Sequence, residues 1–319
     1  MIATNKTWPW KLLLVAILLA MAAGTWGAVQ KIDYQWRWYR VPQYFMYLAE
    51  DAQKIPFDGV VESVKDSGMT TEVVLVSETE EKVTVSITTD TLQVTEGEDL
   101  FDGDTVGFIK EWRVGPLMMG LWTTLWLSAI SSLFALPLGV MAGLARISEN
   151  FTIRGLATIY VECIRGTPLL VQIFLAYFFL GTVFNLSRNV CGIGALALFA
   201  GAYVAEIVRA GIQAIPKGQS EAARSLGMNS FQTMVEVILP QALKKILPPL
   251  SGQFISLIKD SCLVSVIAIT DLVKSGREII TSTFATFEVW LVVAAMYFLV
   301  TSVLSQVVYY MERRFAVSD

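Results

Sequence analysis

Ile215-Pro-Lys-Gly-Gln-Ser-Glu-Ala-Ala-Arg-Ser-Leu-Gly227, continuing through Val237-Ile-Leu-Pro240, is a polar segment set between two long apolar stretches. Its residue types specify a short helix shaped to fit against something else. Ala222 and Ala223 are small, so a helix carrying them can sit deep in a cleft on a partner. Gly227 can end that helix and turn the chain back. Leu239 and Pro240 can begin the return towards the apolar core. Glu221 and Arg224, three residues apart, share one face and can pair with a partner or with each other. Gly218 belongs to the same polar entry. A bare Glu-Ala-Ala occurs by chance in any amphipathic loop, so the extended pattern and its setting carry the reading.

The setting is a series of apolar runs. A helix needs roughly 20 mostly apolar residues to cross the hydrocarbon core of a bilayer. Runs of that kind lie at about 12–29, 117–145, 156–183, 191–213, 246–270 and 288–311. The 319 residues are 54% hydrophobic and only 16% charged, with a mean hydropathy of +0.56. A soluble domain of this length carries more charge and shorter apolar runs. The expected fold class is an α-helical polytopic membrane protein of about six transmembrane helices. The fifth run is the least clean, since Lys259 and Asp260 interrupt it.

Parity and basic residues set the expected orientation. Arg146 and Arg154, then Lys217, Arg224, Lys244 and Lys245 in the loop 214–245, then Arg313 and Arg314, all fall on one side, which is read as the cytoplasm. Both termini are then cytoplasmic, with Lys6 and Lys11 inside, and residues 30–113 lie outside. Lys31, Arg37 and Arg40 on the outer flank run against this, but the parity of the whole chain outweighs one flank. The first run, residues 1–30, also has features of a signal peptide. Trp26, Trp36 and Trp38 suit an interfacial belt and favour an uncleaved anchor.

The outer segment, residues 31–113, differs in charge from the rest. Residues 30–113 hold 17 acidic and 8 basic residues, a net of −9, against +5 for the remainder. Glu72–Ser77 and Lys82–Thr88 alternate or nearly so and are rich in Val, Ile and Thr, which reads as strand. Turn signals at Asp58-Gly59, Ser67-Gly68, 78–81, Glu96-Gly97 and Asp102-Gly103 separate about five strands, as in a small extracytoplasmic all-β barrel or sandwich. Its acidic residues lack a calcium-loop spacing, and it reads first as a spacer at the mouth of the core.

Within the core, residues 114–319, several groups are costly in lipid. Gly166 and Pro168 should break the third run, and irregular backbone at that depth must be buried in protein or line a cavity. Each ionisable residue in a span costs about 2.5–3.5 kcal/mol on insertion scales. Glu162 and Arg165 share one face, Glu206 and Arg209 repeat the spacing, and Lys259 and Asp260 follow. Each pair reads equally as a structural ion pair or as polar lining, and Glu206 with Arg209 can also gate or brace a cytoplasmic end. A candidate substrate pathway gathers Arg165, Gly166, Thr167, Pro168, Gln172, Tyr203, Glu206, Lys259, Asp260 and Ser261. Charges of both signs suit the ammonium and carboxylate of an amino acid.

The loop closely resembles the Glu-Ala-Ala loop of bacterial ABC-importer permeases, in which Glu-Ala-Ala is followed by a glycine and then a Leu-Pro pair. Arg165-Gly-Thr-Pro-Leu-Leu-Val-Gln172, Tyr203-Val-Ala-Glu-Ile-Val-Arg209 and Leu247–Ser261 resemble the polar-amino-acid branch, of histidine, glutamate, glutamine, arginine and opine type. The resemblance covers about residues 115–315; the first run and the β insert are additions to the common plan. It implies a permease subunit in a bacterial inner membrane, importing a polar amino acid. Its implied partners are two ATPase subunits at the coupling loop, a second permease subunit (itself or a relative) and an outer solute-binding protein, with no nucleic acid. It also implies that ATP-Mg is bound and hydrolysed by the partner and that this chain binds no cofactor.

The residues agree with a chain lacking chemistry of its own. There is no histidine, which removes imidazole as base, metal ligand or pH switch. Cys163, Cys191 and Cys262 lie in or beside apolar runs without paired spacing and read as packing residues, so no metal site is expected. No phosphate-binding Gly-x-x-x-x-Gly-Lys-Ser/Thr segment is present. The competing class is a membrane enzyme or signalling protein with an outer β domain, which would need convergent catalytic groups.

Overall fold

The structure is a computed structural model that describes residues 8–31, 34–77 and 81–316. Lys6 and residues 78–80 of the acidic turn lie outside the described residues. The chain divides into two compact units, Met1–Tyr39 and Arg40–Asp319. The first contains helix α1, Trp8–Gln30, and a stacked pair of indoles, Trp36 and Trp38, 5.9 Å apart.

The second unit begins with the β insert. Its strands are β1 (Met46–Lys54), β2 (Gly59–Asp66), β3 (Thr70–Ser77), β4 (Lys82–Thr88), β5 (Asp99–Leu100) and β6 (Thr105–Val114). They form a four-stranded sheet in the order β4-β3-β2-β5 and a separate two-stranded ribbon, β1-β6. The two strands read from Val/Ile/Thr alternation are β3 and β4. β1 and β6 alternate less clearly, yet pair antiparallel from Met46–Val114 to Lys54–Thr105. Gly68, Gly97 and Gly103 have positive φ, and the Asp66 carboxylate accepts from Gly68 N at 2.8 Å to close the β2–β3 turn. Ile55, Val61, Val73, Leu75, Ile87, Val94, Leu100 and Val106 form the insert's core.

The helices that follow are α2 (Pro116–Arg146), α3 (Phe151–Arg165), α4 (Leu169–Phe184), α5 (Arg188–Gln213), α6 (Lys217–Ser225), α7 (Ser230–Ile267), α8 (Leu272–Thr283) and α9 (Thr286–Ala316). Among the described residues four, α2, α5, α7 and α9, are long and apolar enough to cross a membrane. α3 and α4 make a fifth if counted as one broken span, and α1 adds only a shorter apolar stretch, Trp8–Met21. The fold is therefore helical and of membrane type with a β-rich N-terminal region; the expected six spans meet four or five here.

One break expected from the sequence and one departure from it have clear causes. The third run is broken by 104° between α3 and α4, at Gly166-Thr-Pro168, as the missing proline N–H requires. The fifth span begins at Ser230, not near 246. Asn229 starts it with a reciprocal capping box to Gln232, at 2.9 and 3.0 Å. Pro240 therefore lies inside the helix instead of starting it, and a π-helical turn over Thr233–Ile238 immediately precedes it. Such a turn reroutes the carbonyls that proline leaves without a donor.

Small residues hold the bundle together. A side chain at Gly139 of α2 would strike Val204 of α5, and one at Gly143 would lie 2.8 Å from the Ala205 carbonyl. Lipid supplies no hydrophobic drive between helices, so this close approach is the source of their packing. At the other end of α2, Leu117 joins Tyr44, Leu272, Ile279, Ala285 and Val289 in one buried cluster. The root of the insert is thereby built into the core.

Candidate functional site

Three local arrangements carry the residues singled out by sequence. The first is α6. Its C-terminus closes as a Schellman turn: Met228 N donates to Ala223 O at 3.2 Å and Gly227 N to Arg224 O at 2.9 Å. Gly227 has φ +83°, a conformation that costs nothing special for glycine alone. The turn folds the chain back so that α6 lies against the start of α7, where Gln241 Nε2 reaches Gln219 Oε1 at 3.2 Å. Ala223 is buried, while Glu221, Ala222, Arg224 and Gly218 are exposed. Leu226 and Phe231 flank the turn at 84% and 76% exposure; neither is among the residues singled out from sequence. Glu221 and Arg224 form no ion pair with each other among the described residues, and Arg224 Nη2 reaches Ser230 Oγ at 3.3 Å. Leu239 and Pro240 lie beyond, in α7.

The second is a charge cluster joining three helices. Glu206 of α5 accepts from Arg209 through one oxygen and from Arg146 of α2 through the other. Arg165, at the end of α3, lies 3.4 Å from it. Glu162 pairs with Arg146 at 3.3 Å and not with Arg165. Arg146 is only 12% exposed and Glu206 24%, so the group is partly desolvated. Three guanidiniums against two carboxylates leave one positive charge in excess. Arg165 also lies 5.3 Å from the centre of the Tyr203 ring, a cation–π distance. Arg146 entered the sequence reading only as a loop cation.

The third is the kink. Gln172 Nε2 donates to Ile164 O at 2.7 Å, Thr167 O at 3.1 Å and Thr167 Oγ1 at 2.9 Å. It thus serves carbonyls released where α3 stops, which is how a broken helix survives in lipid. Thr167 Oγ1 turns back on Cys163 O at 2.9 Å. Leu169 and Ile173 of α4 join Leu257 and Val264 of α7 in one apolar cluster, bringing the kink beside the Lys259–Ser261 stretch. There Ser261 is fully buried and bonded to Ile258 O at 2.8 Å, so it faces its own helix. Lys259 is exposed and Asp260 partly buried; neither has an ion-pair partner among the described residues.

These arrangements contain hydrogen-bonding and charged surfaces but no catalytic constellation. Among the described residues no group of three or more His, Cys, Asp or Glu side chains converges as a metal requires. What the geometry can do is hold helices at a polar seam and present a helix to another protein.

Comparison with known proteins agrees with this division. The family model for the inner membrane component of binding-protein-dependent transport systems matches residues 135–317. The glutamine transport system permease protein of Escherichia coli (strain K12) is 38% identical over 207 residues, covering 64% of this chain and 94% of that protein. The L-cystine transport system permease protein of Bacillus subtilis (strain 168) is 40% identical over 198 residues, covering 61% of this chain and 84% of that protein. A crystal structure of an amino acid ABC transporter with histidines superposes with a TM-score of 0.59 at 42% identity, covering 62% of this chain and 94% of that one.

Proposed function

The chain belongs to the family of inner membrane components of binding-protein-dependent transport systems and is a permease subunit of an ABC importer, and on that premise we propose that its cargo is a polar amino acid of the glutamine or cystine kind. Its relatives bear those cargoes in their names. The polar seam of Arg165, Tyr203 and Glu206, the kink at Gly166–Pro168 with Thr167 and Gln172, and the neighbouring Lys259 and Asp260 would flank the route. Ser261, buried and bonded to Ile258 O, would back this stretch.

The observation that carries the coupling role is the exposed face of α6. A helix that tucks in Ala223 while exposing Glu221, Ala222 and Leu226 presents a face to another chain. We assign that face to an ATPase subunit, which binds and hydrolyses ATP-Mg. Gly218, Arg224, Gly227, Leu239 and Pro240 shape or support it. In this reading α6 and both termini are cytoplasmic, α1 is an uncleaved anchor and sixth span, and residues 31–113 are extracytoplasmic. A core of five spans pairs with a second permease subunit, and rocking of the two gives alternating access. A solute-binding protein delivers the cargo from outside.

The test is reconstitution. The permease, co-purified with its ATPase and placed in liposomes, should take up labelled glutamine or cystine only with ATP inside and cognate binding protein outside. Uptake of neither, in an assembled complex whose ATPase responds to a different solute, would overturn the cargo assignment.

A further inference from the structure

Three helix ends meet to form a cavity of about 360 Å³, lined among others by Thr123 and Trp126 of α2, Arg188 and Asn189 at the start of α5, and Ala268 and Thr270 in the α7–α8 connection. That is the small end of the range for ligand cavities. Arg188 and Glu206 are both on α5, about 27 Å apart along the helix at 1.5 Å per residue. The cavity is therefore remote from the charge cluster, and the topology proposed above puts it at the outer mouth.

The charge on its lining is that of Arg188. Arg188 is exposed, and its Nη1 reaches the Ala268 carbonyl at 3.3 Å, beyond the usual N–H···O range. It forms no ion pair among the described residues. Lys274 Nζ donates to the same carbonyl at 3.1 Å and to Thr270 Oγ1 at 3.0 Å, and its charge is paired with Glu278 at 3.5 Å. Two cations thus converge on one neutral oxygen. That oxygen belongs to Ala268, a non-glycine residue held at φ 63°, in the disfavoured left-handed region. An anion entering here meets a guanidinium with most of its five donors uncommitted. Trp126, partly buried against the apolar core, also lines the cavity and gives an alkyl chain an apolar surface, and Thr123, Asn189 and Thr270 add hydrogen-bonding groups.

We infer that this cavity is a reception site for the carboxylate of a free α-amino acid, met by Arg188, with Trp126 beside the remainder of the molecule. The inference rests on the amino-acid cargo proposed above and adds where the zwitterion first meets the permease.

The experiment uses the intact permease–ATPase complex without binding protein and follows tryptophan fluorescence. L-glutamine should give a saturable change that Trp126→Phe removes. Arg188→Gln should weaken that titration by roughly tenfold, as loss of a charge-assisted contact does. L-glutaminamide, with its carboxylate masked, should be as weak on the wild type. An unaltered titration in Arg188→Gln, or an equal response to the amide, would overturn the inference. Arg188→Lys, which keeps the charge, should retain part of the affinity and serves if the glutamine variant fails to assemble. Affinity of the complex for the binding protein should be unchanged in Arg188→Gln. If that affinity falls while the glutamine titration stays normal, Arg188 meets an acidic side chain of the binding protein and the solute reading is wrong. Sodium acetate separates this site from the cargo assignment. An Arg188-dependent acetate response without glutamine response or uptake keeps the site and removes the cargo. ATP-driven glutamine uptake with no response to either probe does the reverse.

Discussion

Gly227 offers the sharpest test of the coupling helix. It holds φ +83° at the Schellman turn, and a Cβ there would meet nothing within 4 Å. The cost of a substitution is therefore local backbone strain and not collision. For an L-residue in the left-handed region that is about 1–2 kcal/mol, a factor of roughly 5–30 in the population of the closed turn. If only the closed turn presents α6 for docking, apparent affinity for the ATPase subunit falls by up to that factor, reaching it where strain makes the open form predominate. Gly227→Asn should lose least, because asparagine tolerates this region; Gly227→Ala should lose up to about tenfold and the β-branched Gly227→Val more. The assay is titration of the ATPase subunit against permease in nanodiscs, followed by uptake and solute-stimulated ATP hydrolysis. Membrane insertion and permease pairing should be unaffected, since Gly227 is exposed and a side chain there meets open space. A Gly227→Val subunit that binds the ATPase with wild-type affinity and transports normally would refute the reasoning.

Three further outcomes are expected. On a cysteine-free background, Met69→Cys at the 88%-exposed tip of the β2–β3 hairpin should be labelled by an impermeant reagent from outside, and Gln219→Cys only after permeabilisation; the reverse pattern would invert the topology. Glu206→Gln leaves Arg146, Arg165 and Arg209 with Glu162 as the one carboxylate in reach, and should destabilise the detergent-solubilised subunit by about 1–3 kcal/mol, less than for a fully buried pair. Adding Arg209→Gln should recover part of the loss of melting temperature, and a double variant no more stable than the single would show that the cluster is not the cause. Asp260→Asn should leave assembly intact yet change uptake KM or solute preference by roughly fivefold; lost assembly with unaltered transport in the remaining complex would make Asp260 a packing residue.

Much of the molecule was legible in the residues because the physics involved is local. A run of some 20 apolar residues can do little other than cross a bilayer. Pro168 has no N–H to give, so the third span had to break near it. Gly227 is the residue that a left-handed helix end selects, and the Val/Ile/Thr alternation of β3 and β4 marks two strands. Other features depended on which distant segments meet. Glu162 and Arg165 share a helix face, yet Glu162 goes to Arg146 because α2 brings a guanidinium nearer than the neighbouring turn does. Gln172 reads from sequence as a compact polar group in an apolar run; only the fold shows that its amide nitrogen serves the carbonyls at the break. Pro240 looked like a helix start, but a π-turn lets the helix run through it from Asn229. The cavity of Arg188, Trp126 and Ala268 joins positions widely separated in the chain. Composition and local stereochemistry thus determine elements, breaks and caps, while a charge or a hydrogen-bond donor in lipid takes whichever partner packing supplies. Only the tertiary structure decides that choice.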